Sequence, residues 1–285
     1  MDLHPGGYMN PIITANQLEE LINEGSDVLI CDCRYDLTNA NAGYAMYKNA
    51  HITGAIYVNV EHDLSGPKTG TNGRHPLPTP EAWAKTRQRL GIANHTHVVA
   101  YDSHGGTFAS RLWWMLRSIG HASVQVLDGG LDAWNGSIGN AGREPTPLTS
   151  MPEVYPFQGV ITTNEMEQNV KSDAPKMVID ARTPDRFRGE NETLDPVGGH
   201  IPGATNRCFK ENLVSGKFKS PEQLYKEFVL LIGQQKPGTI IHSCGSGVSA
   251  CHNLLAMEAA GLSGSRLHVG SWSEWCSDPS RPIER

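Results

Sequence analysis

The 285-residue sequence has few cysteines, no excess of basic residues and no long apolar run. Its six cysteines are scattered and include no C-x2-C pair, which argues against a disulfide framework and against a zinc site. No segment offers the roughly 20 apolar residues that a membrane helix needs. The net charge of −6 argues against nucleic acid as the main partner. These absences predict a soluble protein that binds neither nucleic acid nor a membrane.

The first ten residues, MDLHPGGYMN, lack the basic start and the apolar stretch of a secretory signal peptide. A cytoplasmic location is therefore expected. Hydrophobic residues make up 38% of the chain and charged residues 19%, a balance typical of folded proteins. The length suits one large domain or two of ordinary size.

The most informative feature of the sequence is an internal duplication. The offset between matching segments is 148–149 residues at first and 141–142 residues later, so the register holds along the chain. The matches are ITANQLEE (13–20) with ITTNEMEQ (161–168), HITGA (51–55) with HIPGA (200–204), TPEAW (79–83) with SPEQL (220–224), VVAYD (98–102) with IIHSC (240–244), and DGGLDAW (128–134) with VGSWSEW (269–275).

Both copies alternate short β-branched runs with helical patterns, which indicates an α/β fold. The predicted strands are Val28–Cys31, Val98–Tyr101 and Val124–Leu127 in the first copy, and Val178–Asp180, Ile240–Ser243 and Leu267–Val269 in the second. Segment 139–157 is rich in Gly, Pro, Ser and Thr and is typical of a linker. We therefore predict two tandem α/β domains, 1–138 and 158–285, each with a mostly parallel central sheet flanked by helices.

The duplication provides an internal control, because features present in both copies are expected to serve the fold. We assign structural roles to three such pairs: Asp32–Arg34 with Asp180–Arg182, His51 with His200, and Trp134 with Trp275. Cys31 and Cys33 on the first predicted strand are expected to be packed in the core. Features found in one copy alone are the candidates for chemistry.

Cys244 is such a feature, because its counterpart in the first copy is Asp102. An aspartate cannot perform thiol chemistry, so the first copy is expected to be catalytically silent. Small residues follow the cysteine before a helical pattern begins: Gly245, Ser246, Gly247, Val248 and Ser249. Backbone amides of such a loop, together with the positive end of a helix dipole, favour a thiolate and can hold a negative charge beyond the sulfur.

The loop CGSGVSA (244–250) resembles the CGSGVTA signature of the 3-mercaptopyruvate sulfurtransferases, in the two-domain rhodanese superfamily. The resemblance extends through GHIPGA (199–204) to GSWSEW (270–275). It implies a silent N-terminal domain, a catalytic C-terminal domain, an active site in the cleft between them and a persulfide intermediate on Cys244. It also implies a small-molecule sulfur donor, a thiol acceptor (thioredoxin or a low-molecular-weight thiol) or cyanide, and no metal or organic cofactor.

The first copy carries an insertion of about eight residues that ends near Arg74 and His75. In the family this region reaches the cleft, where an acid, a histidine and the loop serine form a relay. The resemblance therefore implies Glu61, His75 and Ser246 as catalytic residues beside Cys244. Asp63 is an alternative to Glu61 because it lies two residues away.

Arg186 has no arginine counterpart in the first copy and matches the substrate arginine of the family. Its planar guanidinium suits the carboxylate of a donor. The second arginine that mercaptopyruvate enzymes often carry before GHIPG is missing, and Arg74 or Arg188 could supply that charge. Arg188 also fits a solvated surface residue. The loop residues Gly245, Gly247, Val248 and Ser249 complete the predicted substrate site.

Three alternative functions compete with mercaptopyruvate sulfur transfer. Thiosulfate enzymes of the superfamily place cationic residues after the cysteine, whereas Gly245 and Ser246 are uncharged, so mercaptopyruvate is favoured and thiosulfate:cyanide transfer is the alternative. A non-enzymatic rhodanese-like binding module would not need Cys244. Protein phosphatases need C-x5-R, and Ala250 stands where that arginine would be.

Overall fold

The computed structural model describes residues 9–285. The prediction made from the first ten residues falls largely on residues 1–8, which lie outside the described part. Two compact units are distinguished. The first comprises the described residues up to Gly66 with Pro78–Gln158 and Ser215–Phe218, and the second comprises Pro67–Leu77, Gly159–Val214 and Lys219–Arg285.

The first unit contains a five-stranded parallel sheet. In the first half of the chain the strands are β1 (Ile12–Ile13), β2 (Val28–Asp32), β3 (His51–Ile52), β4 (Ile56–Tyr57), β5 (His97–Tyr101), β6 (Val124–Leu127) and β7 (Ile138–Gly139). The helices are α1 (Ala15–Asn23), α2 (Ala42–Asn49), α3 (Pro80–Leu90) and α4 (Ala109–Arg117). The sheet order is β1-β6-β5-β2-β4, while β3 pairs antiparallel with β7.

In the second half of the chain the strands are β8 (Val160–Ile161), β9 (Val178–Asp180), β10 (Thr205–Asn206), β11 (Leu213–Val214), β12 (Lys217–Phe218), β13 (Ile241–Ser243) and β14 (Arg266–His268). The helices are α5 (Thr163–Val170), α6 (Pro184–Phe187), α7 (Pro221–Ile232), α8 (Ala250–Ala259) and α9 (Ser271–Trp275). The strands form a parallel sheet in the order β8-β14-β13-β9-β10. This order matches β1-β6-β5-β2-β4 of the first sheet strand for strand, so that β13 corresponds to β5. The predicted fold class and duplication are therefore confirmed.

The duplicated sequence features have the predicted local roles. Thr14 and Thr162 form capping boxes at α1 and α5, which satisfy amides at the helix starts. Asp32–Arg34 and Asp180–Arg182 are buried ion pairs. His51 Nδ1 lies 2.7 Å from the Tyr47 carbonyl oxygen and His200 Nδ1 lies 2.8 Å from that of Phe187, while Trp134 and Trp275 belong to the two hydrophobic cores.

Two segments differ from a simple division along the chain. Segment Pro67–Leu77, within the insertion of the first copy, belongs to the second unit. Segment 139–157, predicted as a linker, is hydrogen-bonded to the first unit, where the Leu148 amide donates to the Gln88 carbonyl oxygen. None of the helices within residues 9–285 combines the length and the apolar character that crossing a membrane requires.

Candidate active site

Cys244 directly follows the central strand β13 of the second unit and begins a loop, residues 244–249, that leads into α8. The Cys244 side chain is buried, and the residue is 1% exposed. The Gly247 amide donates to Cys244 Sγ at 3.1 Å, the kind of contact predicted from the loop composition. Gly247 has φ = 74°, and a Cβ atom there would lie 2.3 Å from the Val269 carbonyl oxygen. Only glycine fits this position without moving the backbone.

In the first unit, the equivalent loop follows β5 and surrounds the side chain of Asp102 with backbone amides. The Asp102 carboxylate accepts hydrogen bonds from four backbone amides, those of His104, Gly106, Phe108 and Ala109, at 2.7–3.0 Å. The loop that follows a central strand in this fold therefore directs its amides at the side chain of the first loop residue. In the second unit that side chain is the Cys244 thiol.

Ser271 is a functional candidate that sequence reasoning missed. Its hydroxyl oxygen accepts from the Cys244 amide at 3.0 Å, donates to the His268 carbonyl oxygen at 2.8 Å and lies 4.0 Å from Cys244 Sγ. Ser271 has φ = 51°, a left-handed conformation that costs energy for a serine. Its counterpart in the first copy is Gly130, with φ = 56°. A serine opposite a glycine in the duplication was the available signal.

His268, whose carbonyl oxygen accepts the Ser271 hydroxyl, has a buried imidazole with hydrogen-bond partners of its own. His268 Nε2 lies 3.0 Å from Thr163 Oγ1, and His268 Nδ1 lies 3.4 Å from Ser243 Oγ. Burial lowers the pKa of His268 to about 3, so its imidazole is neutral and one ring nitrogen accepts while the other donates. The strand end beside Cys244 is thus supported by hydrogen bonds that involve no net charge.

His75 and Ser246 lie together in the second unit, as the resemblance implied. His75 is buried, and its Nδ1 atom is 2.8 Å from Ser246 Oγ. The preceding residue fixes the segment, because the Arg74 amide donates to Ser273 Oγ at 3.0 Å. An imidazole hydrogen-bonded to a hydroxyl two residues from the cysteine can pass a proton to or from a bound ligand.

Two guanidinium groups border the next loop residue, Gly245. A Cβ atom at Gly245 would lie 2.8 Å from Arg74 Nη2, 3.4 Å from Arg186 Nη2 and 3.7 Å from Arg186 Nη1. Arg186 also binds the Glu192 carboxylate through Nε and Nη2, and Arg74 Nη1 binds Asp195. Arg74 Nη2 and Arg186 Nη1 have no hydrogen-bond partner among the described residues. These two donors can receive an anion beside the sulfur.

The remaining predicted residues have other surroundings. Val248 is buried, and Ser249 precedes α8 without a side-chain capping bond. Arg188 forms an ion pair with Glu190 in which the two side chains are 51% and 57% exposed, in accord with a solvated surface arginine.

The two acidic candidates for the relay belong to the first unit. Glu61 accepts a hydrogen bond from the Tyr35 hydroxyl at 2.9 Å. Asp63 accepts from the Asn59 amide through Oδ2 and from Arg89 through Oδ1, so both of its carboxylate oxygens have structural partners.

Comparison with known proteins identifies the family of the chain. The rhodanese-like domain family matches residues 14–137 and 162–278. A Pseudomonas aeruginosa protein named "probable 3-mercaptopyruvate sulfurtransferase" is 40% identical over 95% of this chain and 97% of its own, and the thiosulfate sulfurtransferase of Gallus gallus is 32% identical over 93% and 92%. The crystal structure of an Escherichia coli protein described as a 3-mercaptopyruvate sulfotransferase superposes with a TM-score of 0.79 at 30% identity, covering 93% of this chain and all of that one. The chain belongs to the rhodanese family, as a sulfurtransferase with two rhodanese-like domains.

Within residues 9–285, histidine, cysteine and carboxylate side chains form no group of three or more that could hold a metal ion. The six cysteines are all buried, and none of them forms a disulfide within residues 9–285. The residues gathered around Cys244 are instead a thiol, a hydroxyl–imidazole pair and two guanidinium groups.

Proposed function

We propose that this chain transfers the sulfur of 3-mercaptopyruvate to a thiol or to cyanide through a persulfide on Cys244. The observation that carries the proposal is the convergence, within one unit, of Cys244, the Ser246–His75 pair and the guanidinium groups of Arg74 and Arg186. Each group matches one chemical part of this donor: its thiol, its ketone and its carboxylate.

The first step is attack of the Cys244 thiolate on the donor sulfur. A sulfur–sulfur bond forms, the carbon–sulfur bond breaks, and its electron pair passes to the enolate of pyruvate. The proton that the donor thiol carried ends on pyruvate, and Cys244 retains the persulfide. Dividing the transfer into two displacements is covalent catalysis. The Gly247 amide, 3.1 Å from Sγ, lies where it can stabilise sulfur-borne negative charge.

The Ser246–His75 pair is assigned to the enolate. As charge develops on the ketone oxygen, the Ser246 hydroxyl can donate to it, and His75 returns a proton to the serine through the 2.8 Å contact. In the second step a thiol of a small molecule or of thioredoxin, or cyanide, attacks the outer sulfur and regenerates the Cys244 thiolate.

The carboxylate of the donor is assigned to Arg74 and Arg186. Their open N–H groups, Arg74 Nη2 and Arg186 Nη1, border Gly245, next to the reacting sulfur. Arg74 thereby supplies the second positive charge that the stretch before GHIPG lacks. Any side chain at position 245 would press on both guanidinium groups, so the glycine keeps this space open for a ligand.

Substitution of the three candidate arginines distinguishes those that bind the donor. We expect Arg186→Gln and Arg74→Gln each to raise KM for mercaptopyruvate by about tenfold or more, because a charge-assisted hydrogen bond contributes about 1.5–3 kcal/mol. Arg188→Gln, which removes an equal charge from an exposed ion pair, should leave KM near the wild-type value. Steady-state kinetics of the three variants provide the comparison. A larger effect in Arg188→Gln than in Arg74→Gln would reassign the second charge.

The donor itself is tested by kcat/KM for mercaptopyruvate and for thiosulfate, each with cyanide and with a dithiol as acceptor. We expect the higher kcat/KM with mercaptopyruvate, because no cationic side chain follows Cys244 in the loop. Better turnover of thiosulfate would overturn the choice of donor and leave the Cys244 persulfide to be tested separately.

A further inference from the structure

The buried carboxylate of Asp195 contacts the two arginines that border Gly245, Arg74 and Arg186. Asp195 belongs to the stretch that lacks the family's second arginine, and its side chain is 3% exposed. Its Oδ1 atom accepts from Arg74 Nη1. Its Oδ2 atom lies 3.5 Å from Arg186 Nη2 and is buried without a hydrogen bond. One carboxylate therefore contacts both guanidinium groups that border Gly245.

A second carboxylate nearby has a different task. Glu192 chelates Arg186 through Nε and Nη2 and accepts the amides of Leu194 and Asp195. Burial opposes its ionisation, but the hydrogen bonds from Arg186 and from the two amides, together with the Arg186 charge, outweigh burial and lower the pKa of Glu192. Its hydrogen bonds are those of a carboxylate that shapes its own loop.

The net charge of the arginine and carboxylate side chains around Asp195 determines which charge of anion binds best beside them. Arg74, Arg182 and Arg186 contribute three positive charges, and Asp180, Glu192 and Asp195 contribute three negative charges. These charges cancel. Without Asp195 one positive charge would be in excess and would favour a more negatively charged ligand. In a buried site, an excess charge and a repelling carboxylate both act strongly because water screens them little.

We propose that Asp195 determines donor selectivity by favouring donors of one negative charge over dianions. It orients Arg74 so that Nη2 faces Gly245, and its own charge repels a second negative charge on the donor. Specificity of this kind depends on a repulsive element as well as an attractive one. The inference rests on the proposed function, because it takes the donor's anionic group to bind between Arg74 and Arg186.

Asp195→Asn tests this inference, since it removes the charge and keeps the shape and one oxygen acceptor for Arg74. The measured quantity is the ratio of kcat/KM for thiosulfate to kcat/KM for mercaptopyruvate. We expect this ratio to rise by about tenfold or more, since the variant no longer places a like charge beside the dianion. The change should appear mainly as a lower KM for thiosulfate.

Two variants control for charge and for general disturbance. Asp195→Glu keeps the carboxylate and should keep the ratio close to that of the wild type. Glu190→Gln removes a carboxylate that is 57% exposed, from the same stretch, and should not change the ratio. An unchanged ratio in a folded Asp195→Asn protein that still uses mercaptopyruvate would overturn the role of Asp195 and leave the proposed function intact. Failure of the wild type to use mercaptopyruvate would contradict the proposed function.

A measurement on the unmodified chain applies even if the Asp195 variants do not fold. Pyruvate, with one charge, and sulfate, with two, are compared as competitive inhibitors against mercaptopyruvate. We expect pyruvate to have the lower inhibition constant. Tighter competitive inhibition by sulfate would show that the site prefers a dianion, which is incompatible with the proposal.

Discussion

Replacing Cys244 by serine is expected to lower kcat/KM for mercaptopyruvate by about 10⁴-fold or more, since loss of a covalent nucleophile has effects of this order. A hydroxyl at this position cannot accept sulfur as a persulfide, although it fills nearly the same volume. Because Cys244 is buried and its loop is closely packed, the conservative serine preserves the fold better than alanine. The measurement is initial-rate kinetics with mercaptopyruvate and cyanide, alongside thermal unfolding.

Cys276→Ser is the matched control in the same unit. Burial raises the pKa of the Cys276 thiol to about 11, so this cysteine is protonated and a poor nucleophile near neutral pH. Its replacement should leave the kinetics close to those of the wild type. Comparable losses in the Cys276 and Cys244 variants would indicate that neither effect reports on the nucleophile.

The His75→Ala variant is expected to lower kcat by about 10²- to 10⁴-fold, the usual range for loss of a general acid–base group. KM for the donor should change less, because the arginine pair that binds the carboxylate remains. The physical reason is the 2.8 Å contact between His75 Nδ1 and Ser246 Oγ, which alanine removes. The kcat of His75→Ala and of Ser246→Ala should fall together, and their double variant should lose little more than either single one.

An exposed histidine, His62, provides a control for that prediction. His62 lies close by in the sequence and is exposed, so His62→Ala should leave kcat unchanged. Because His75 is buried, thermal unfolding of each variant must accompany the kinetics. A folded His75→Ala protein with normal turnover would exclude the acid–base role, and additive losses in the double variant would separate His75 from Ser246.

Much of the fold could be predicted from the sequence because strand and helix signals agreed in both copies. The strands predicted at Val124–Leu127 and Val178–Asp180 have the observed bounds, and β13 starts one residue later than predicted, at Ile241. Helix α4 (Ala109–Arg117) is buried over almost its whole surface. Periodicity indicates one apolar face of a helix, whereas burial of the opposite face depends on tertiary packing that periodicity does not encode.

The candidate site could be predicted only in part, and the reasons are physical. Cys244 was identified because its loop differs from that of Asp102 in the other copy, a comparison made within one sequence. Ser271 was missed because its role depends on a left-handed φ and on its 3.0 Å contact with the Cys244 amide. Asp195 resembled any loop acid, since nothing in its neighbours indicates that two guanidinium groups lie against it. Placement of His75 beside Ser246 rested on the family resemblance alone, because 171 residues separate them in the chain.

The central claim is that sulfur passes through Cys244, and mass spectrometry of the donor-treated protein tests it most directly. The protein is incubated with mercaptopyruvate without an acceptor, alkylated and digested, and the peptides that contain each of the six cysteines are compared. We expect one added sulfur atom on the Cys244 peptide, lost on addition of cyanide, and none on the peptides of Cys31, Cys33, Cys208, Cys251 and Cys276. An added sulfur on another cysteine that persists in the Cys244→Ser variant, or turnover with no added sulfur on Cys244, would contradict the account.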